Sequence, residues 1–283
     1  MSSERGYLVD PRVTEKVAFA LLWVAMVVVM LPMAGIIGYM LYRGASSLNW
    51  ELISAADGGL YPAIIGTTFL VLLTALVAAP IGVGAAIYLS EYARPGPLVR
   101  LVRLAIINLA GVPSVVYGLF GLAAFVILVG WGRSLLAGAC TLALLVLPLV
   151  ISTAEEALRQ IPKGLREGSL ALGASKWQTI RRVVLPNALP GIITGLILSI
   201  ARAAGETAPI LFTVAYFRLS DPIPNSIFDP IVAMPYQLFV MATEMPEIPD
   251  ETKWATAFVL VALVLGLNIV ATIVRTTLRR RRW

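Results

Sequence analysis

The chain has 283 residues, of which 59% are apolar and only 13% are charged, and its net charge is +6. Soluble domains contain about a quarter charged residues, and a soluble core of this length could not bury so much apolar surface. The composition therefore excludes soluble enzymes, fibrous proteins and disordered chains. The sequence has no histidine and one cysteine, Cys140. This excludes histidine-dependent catalysis, cysteine-cluster metal sites and disulfide frameworks.

Six long apolar tracts predict six transmembrane helices. Five tracts without a charged residue cover positions 17–42, 58–90, 104–132, 134–154 and 254–274. The sixth tract, 183–217, contains only Arg202 and Glu206 as charged residues. A helix needs about 20 residues to cross the hydrocarbon core of a bilayer, so each tract is long enough. We therefore predict an all-α polytopic membrane protein, in which Cys140 is a small buried apolar residue.

The domain organisation follows from these tracts. We predict an N-terminal tail at residues 1–16, a six-span transmembrane domain at 17–275 and a basic tail at 276–283. The first tract is much longer than the apolar core of a signal peptide, so it is predicted to be a retained span.

The distribution of basic residues predicts the orientation. The N-terminus, the second and fourth connections and the C-terminal end together contain 17 basic residues, and the opposite connections contain four. Basic residues collect on the cytoplasmic side of a membrane, so both termini are predicted to be cytoplasmic in a cell membrane. The run Arg279–Arg282 is then a headgroup anchor in the lipid bilayer and a topology signal. It does not indicate a nucleic-acid partner.

The last outer connection, residues 218–253, has six prolines and six acidic residues. Its apolar stretch Ile227–Met241, broken by Pro230 and Pro235, could lie on the membrane surface. The alternative is a plain exposed loop.

The cytoplasmic connection 154–186 has apolar residues at helical spacing between charges. Pro162 and Gly173 divide it into short helices. Ser175 followed by Gln178 forms a capping-box pattern, so a helix is predicted to begin after Ser175, and Pro186 is predicted to end it. Short helices joined at fixed turns suit docking into a groove of another protein. The alternative is an amphipathic interfacial segment without a partner.

This connection resembles the EAA–G–I-x-LP loop of the membrane subunits of ABC-type importers. The matching positions are Glu167, Gly168, Ser169, Gly173 and the stretch 183–186, VVLP, which ends in Leu185 and Pro186. Gly and Ser replace the two alanines of the motif. In that family the loop is the coupling helix, which sits in a cleft of the ATP-hydrolysing subunit. The resemblance implies that ATP and Mg bind to that partner and that this chain binds no cofactor, in line with its lack of a Walker-type phosphate loop.

Two further stretches resemble the phosphate-importer permeases of the PstA type: residues 111–121, GVPSVVYGLFG, and residues 201–209, ARAAGETAP. The resemblance implies the type I ABC importer permease fold, inorganic phosphate as substrate and the cell membrane of a prokaryote. It also implies four kinds of partner: a second homologous permease, two ATP-binding subunits, an extracytoplasmic phosphate-binding protein and phosphate itself. The chain itself would not be an enzyme.

Arg202 and Glu206 are the leading candidates for the substrate path on physical grounds alone. A charged residue at the bilayer centre costs about 2.5–3.5 kcal/mol, so both should face protein or a water-filled path. Their spacing of four places them on one helix face, where they can pair. A guanidinium offers a planar fork that matches two oxygens of an oxyanion, and Glu206 could hold that fork in place. The alternative is a purely structural pair that holds two helices together.

Further path candidates are Thr207, Asn108, Ser114 and Tyr117. For the third span, the alternative is close packing, because Gly111, Pro113 and Gly118 are expected to break the helix and let backbones approach. Thr207 is equally typical of a small interhelical packing residue.

Two other functions remain open from the residues. Another oxyanion, molybdate or sulfate, would suit the same guanidinium. An intramembrane enzyme would use Arg202 and Glu206 as catalytic groups, but it would need more nucleophiles or ligands and would leave the cytoplasmic loop unexplained.

Overall fold

The computed structural model describes residues 11–55, 59–217 and 223–280. Parts of the predicted N-terminal tail (1–10), outer loop (218–222) and basic tail (281–283) lie outside these ranges. The helices are α1 (Pro11–Gly44), α2 (Trp50–Ser54), α3 (Tyr61–Ile87), α4 (Pro97–Ala110), α5 (Ser114–Gly121), α6 (Leu135–Arg159), α7 (Lys163–Ala171), α8 (Lys176–Thr179), α9 (Leu185–Gly205), α10 (Ala208–Thr213), α11 (Met234–Thr243) and α12 (Asp250–Arg280). Turns of π-helix follow α3, α5 and α8, at Tyr88–Tyr92, Leu122–Leu128 and Ile180–Val184.

Within the described residues, five continuous helices could cross a membrane, and a bent pair of helices would make a sixth span. The continuous helices long and apolar enough to cross a membrane are Val13–Gly44, Tyr61–Tyr92, Leu135–Arg159, Lys176–Gly205 and Asp250–Thr277. The third apolar tract instead forms a bent pair, in which α4 and the helix Ser114–Leu128 meet at 102°. Gly111 and Pro113 explain the bend, because proline cannot donate a backbone hydrogen bond and disfavours helix at the residue before it.

The core lies between α3, α6 and α9, which approach closely at small residues. A β-carbon at Gly82 of α3 would meet Val150 of α6, and β-carbons at Gly191 and Gly195 of α9 would meet Ala157 and Thr153 of α6. Small residues are typical of such contacts in membranes, where close approach of helix backbones supplies the van der Waals attraction. Cys140, on α6, is half-buried, so the prediction that it is buried was wrong.

α1 packs at the edge of this core against α12. The rings of Tyr39 and Trp254 meet edge to face with their centroids 5.1 Å apart. At its end, Gly44 lies against the backbone of Ala255. Most apolar side chains of α1 are exposed, as expected for a helix that faces lipid.

Part of the connection 218–253 folds into the protein, so the prediction of a plain exposed loop for its apolar stretch was wrong. Its position on the membrane surface stays a prediction. Ile231, Ala233 and Met234 are fully buried. The backbone N–H of Met234 donates to Thr67 Oγ1 of α3 at 2.9 Å. The Val232 carbonyl lies where a β-carbon of Gly66 would be, so glycine is required for this approach. The stretch therefore packs on α3 because Gly66 makes room and Thr67 accepts a backbone hydrogen bond.

The helix after Ser175 continues past Pro186, which corrects the prediction that proline ends it. Residues 176–205 form one span, with the π-helical turn Ile180–Val184 directly before α9. Pro186 has no backbone N–H, so one carbonyl in the preceding turn lacks its usual hydrogen-bond donor. The π-helical turn changes the hydrogen-bond pattern at this point, and the helix can therefore continue through Pro186.

Candidate substrate path and cytoplasmic coupling loop

Arg202 and Glu206 form an ion pair at the end of α9. Arg202 Nε lies 3.5 Å from Glu206 Oε1, and the side chains are 43% and 17% exposed. The spacing predicts two residues on one helix, but α9 ends at Gly205 and Glu206 has extended backbone, with φ −75° and ψ 130°. The carboxylate therefore reaches back to the guanidinium across a helix terminus. A break here leaves backbone groups free to line a cavity.

This break contacts the bend in the third span. A β-carbon on Gly118 of α5 would lie 3.0 Å from Pro209 Cα and from the Ala208 carbonyl oxygen, both on α10, and 2.8 Å from the Phe212 ring. Any larger residue at position 118 would separate the two segments. The bend of the third span and the segment after the end of α9 therefore contact each other.

Tyr117 holds the two helices of the same bend together. Its side chain is buried, and its hydroxyl donates to the Leu109 carbonyl at 2.9 Å, which links α5 back to α4. Of the third-span candidates, Tyr117 is thus the one that is buried and that bonds the two helices of the bend to each other.

The remaining path candidates lie around these residues. Thr207 occupies the position before α10 and is half-buried. Asn108 is exposed near the end of α4, and Ser114 is the half-buried first residue of α5. Within the described ranges, neither Asn108 nor Ser114 forms a hydrogen bond or ion pair with Arg202 or Glu206. Their place in the path stays a prediction.

Arg202 belongs to an outward face of α9. Asn187, Gly191, Leu198 and Arg202 are exposed at successive spacings of four, seven and four residues, so they lie along one side of the helix. A groove of about 380 Å³ lies between this side and α6; its lining includes Ser152, Glu156, Gln160, Thr194 and Leu198. Arg202 is a charged residue on the exposed side of a predicted span. This side of α9 should therefore face another protein chain or water and not lipid.

The connection 154–186 contains a pair of short helices with a glycine joint. α7 carries Glu167, Gly168 and Ser169, and it ends in two backbone hydrogen bonds, from Gly173 N to Leu170 O at 2.9 Å and from Ala174 N to Ser169 O at 3.3 Å. This is a Schellman ending, which requires a left-handed residue. Gly173 supplies it with a φ of +84°.

The second short helix is capped as predicted. Ser175 Oγ accepts from Gln178 N at 3.3 Å, and Ser175 N donates to Gln178 Oε1 at 2.7 Å. Ser169 Oγ and Thr179 Oγ1 lie 2.9 Å apart and hold α7 against α8. Leu185 and Pro186 are half-buried at the start of α9.

The loop presents apolar residues to solvent. The exposed ones are Leu165, Leu170, Leu172 and Trp177. Glu167, Gly168 and Gly173 are exposed beside them. A rigid unit with exposed apolar side chains is typical of a docking surface.

Sequence reasoning missed the acidic residues that tie this region to the transmembrane helices. Glu91 pairs with Arg166, and Glu155 pairs with both Arg103 and Arg159. Each acidic residue is the first charged residue after an apolar tract, and in the sequence it marks only the end of a predicted span. A carboxylate directly after a span does, however, favour an ion pair at the end of that helix.

Comparison with known proteins gives a consistent assignment. A family model described as "Binding-protein-dependent transport system inner membrane component" matches residues 78–283. The chain is 36% identical to "Phosphate transport system permease protein PstA 1" of Mycobacterium tuberculosis (strain ATCC 25618 / H37Rv), over 96% of this chain and 90% of the relative. It is 33% identical to "Probable ABC transporter permease protein YqgI" of Bacillus subtilis (strain 168), over 92% of this chain and 94% of the relative.

Solved structures match the fold. An inward-facing structure of the MetNI methionine ABC transporter aligns with a TM-score of 0.63 at 19% identity, over 77% of this chain and 95% of the matched chain. A bacterial ABC transporter involved in alginate import aligns with a TM-score of 0.60 at 15% identity, over 92% of this chain and 98% of the matched chain. The fold is therefore that of ABC importer permeases.

Proposed function

The chain belongs to the family of binding-protein-dependent transport system inner membrane components, and from this we propose that it is the permease subunit of an ATP-driven importer of inorganic phosphate. It is a multi-pass membrane protein, and ATP is hydrolysed on a separate subunit. Relatives named as phosphate transport permeases, 36% identical over nearly the whole chain, support phosphate as the substrate.

The observation that carries this proposal is the placement of Arg202. Its guanidinium lies in a span, partly exposed, at the point where α9 breaks and contacts the bend of the third span. A guanidinium binds a tetrahedral oxyanion with two parallel hydrogen bonds. Glu206 restrains the guanidinium and weakens its field, so that a bound anion can leave. Thr207, Tyr117, Ser114 and Asn108 complete the path as hydroxyl and amide groups.

The exposed face of α9 implies a neighbour for Arg202. We propose that a second, homologous permease subunit covers this face, so that the anion passes between two chains. The groove beside α6 supports this, because it is open along the same side of α9 and reaches Leu198, four residues before Arg202. Phosphate would then move along surfaces of both subunits.

The remaining partners follow from the family. Permeases of this family work with an ATPase and a binding protein. For this chain we propose two ATP-binding subunits, which bind ATP and Mg and receive the loop around Glu167, and an extracytoplasmic phosphate-binding protein on the opposite side. The termini and the loop would be cytoplasmic, as the basic residues predict.

Uptake of radiolabelled phosphate tests the proposal. The complete complex, made with its own ATPase and binding protein in cells that lack other phosphate uptake, should import phosphate. A complex with a hydrolysis-defective ATPase should not. An excess of sulfate or molybdate should leave uptake unchanged; strong competition would assign the site to another oxyanion.

The same preparation separates a transporter from an intramembrane enzyme. An enzyme that uses Arg202 and Glu206 would retain its activity when the chain is purified without an ATPase. A permease subunit transports nothing under those conditions. Phosphate import that requires every subunit would therefore support the permease function.

A further inference from the structure

Arg166 lies directly before Glu167 in the coupling helix α7, but it faces the transmembrane helices. Its Nη2 lies 2.9 Å from Glu91 Oε1, and the two side chains are only 20% and 9% exposed. Glu167, in contrast, is exposed. Neighbouring residues of α7 thus face opposite ways, one toward solvent and one toward the end of the second span.

Arg166 also binds the end of α6. Its Nη2 donates to the Leu158 carbonyl at 2.7 Å, and its Nη1 donates to the Ile161 carbonyl. These carbonyls belong to the last turn of α6 and the residues after it, where a helix has unpaired acceptors and partial negative charge. One guanidinium therefore joins three elements: α7, the end of α6 and the turn Tyr88–Tyr92 that ends the second span.

A second contact joins the same turn to the other short helix of the loop. Lys176 Nζ lies 4.8 Å from the ring centroid of Tyr92. Glu91 and Tyr92 therefore receive one cation from each side of the Gly173 joint. The second span thus ends in a surface that contacts both halves of the coupling loop.

The second span leads from this surface into the core. Gly82 of α3 packs against Val150 of α6, and α3 also contacts α9, which carries Arg202 at its far end. The Arg166–Glu91 ion pair holds α7 to the end of the second span. A displacement of α7 must therefore either move α3 or break this ion pair. Breaking it would leave a nearly buried carboxylate without its partner.

We propose that Arg166 is the positioning residue that transmits movement of the coupling helix to the second and fourth spans, with Glu91 as its receiver. This inference rests on the proposed function, because it requires an ATPase that moves α7. Arg166 acts through Glu91 and the α6 carbonyls and does not contact the substrate. Its loss should lower the amount of phosphate imported per ATP hydrolysed.

The test is a double-mutant cycle in the complete complex, with Arg166→Gln, Glu91→Gln and the double variant. Purified complexes are scored for subunit assembly, ATP hydrolysis and phosphate imported per ATP in proteoliposomes. We expect each variant that assembles to retain at least half of the wild-type ATPase rate. The amount of phosphate imported per ATP hydrolysed should fall at least tenfold. The double variant should import no less phosphate per ATP than either single variant, because all three variants remove the same ion pair.

Arg159→Gln is the matched control. Arg159 pairs with Glu155 four residues away on α6 and joins no second element, and Glu155 keeps Arg103 as a partner. This variant should remain within twofold of the wild type.

A structural role predicts a different pattern. If the double variant, which leaves no unpaired charge, assembles and recovers wild-type phosphate per ATP, the inference is overturned. Failure of the double variant to assemble would overturn it too. If the wild-type complex itself imports no phosphate, the proposed function fails, which is a separate result.

Discussion

Gly118 of α5 lies directly against Pro209 of α10, so close that a β-carbon at position 118 would come within 3.0 Å of the proline Cα. Each residue lies beside an irregularity in its own span: the bend at Gly111–Pro113 and the end of α9 at Gly205. The contact makes these two irregularities one structural unit. Arg202 lies at its edge, so movement of either span changes the surroundings of the guanidinium.

We expect Gly118→Val to impair transport. The added side chain overlaps backbone of α10, and overpacking of this kind costs about 1–3 kcal/mol. α5 and α10 would separate, which would change the surroundings of the helix end beside Arg202. Phosphate uptake should fall by at least tenfold while the complex still assembles.

Gly84→Val is the control for Gly118→Val. Gly84 also lies in a membrane helix, but nothing lies within 4 Å of a β-carbon at that position. Uptake in this variant should stay within twofold of the wild type. Equal uptake in the two variants would contradict a role for the α5–α10 contact.

A second prediction concerns the joint of the coupling loop. Gly173→Val forces a β-branched residue into a left-handed conformation, which costs an L-residue about 1–2 kcal/mol. α8 would shift relative to α7, and phosphate imported per ATP should fall. Gly173→Asn should be milder, because asparagine tolerates this conformation.

Gly164→Val provides the comparison for the joint. Gly164 lies in α7 with ordinary helical backbone, and a β-carbon there meets nothing within 4 Å. The Gly164→Val complex should import nearly as much phosphate per ATP hydrolysed as the wild type. If the Gly173→Val complex imports as much phosphate per ATP as the Gly164→Val complex, a rigid joint at Gly173 is not needed.

The sequence predicted features that depend on neighbouring residues. The capping box of Ser175 and Gln178 and the turn at Gly173 were predictable, because both are set by backbone hydrogen bonds within a few residues. The bend at Gly111–Pro113 was predictable for the same reason. Pro186 was misjudged because the π-helical turn before it leaves no mark in the residue pattern.

Features that depend on distant residues were not predictable. The Arg166–Glu91 pair joins residues 75 apart in the chain, and the burial of Met234 depends on Gly66 and Thr67 of another helix. The pairing of Arg202 with Glu206 followed from their spacing, but the contact of α10 with Gly118 of α5 did not. A single sequence specifies local geometry, whereas these contacts depend on how the helices pack.

A third prediction tests the orientation. In a Cys140→Ala background, Asn225→Cys should react with an impermeant maleimide in intact cells. Lys163→Cys should react only after the membrane is permeabilised. Both positions are exposed, and Lys163 avoids disturbing the cap at Ser175. The reverse labelling pattern would place the coupling loop outside and contradict its proposed contact with an ATPase.

Single substitutions of Arg202 should separate charge from geometry. Arg202→Gln should abolish phosphate uptake in a complex that still assembles. Arg202→Lys keeps the charge but loses the two-pronged hydrogen bond, so uptake should be reduced at least tenfold rather than normal. Wild-type uptake by the lysine variant would show that the guanidinium fork is not needed.

The central claim is that Arg202 meets the anion, and the double variant Arg202→Gln/Glu206→Gln tests it most directly. Removing one member of a charge pair leaves the other charge unpaired, whereas neutralising both is often tolerated. The measurement is phosphate uptake by the assembled double-variant complex, with assembly scored by co-purification of the ATPase. We predict normal assembly without uptake. Uptake near the wild-type rate would contradict the account, because Arg202 would then serve only as the structural partner of Glu206.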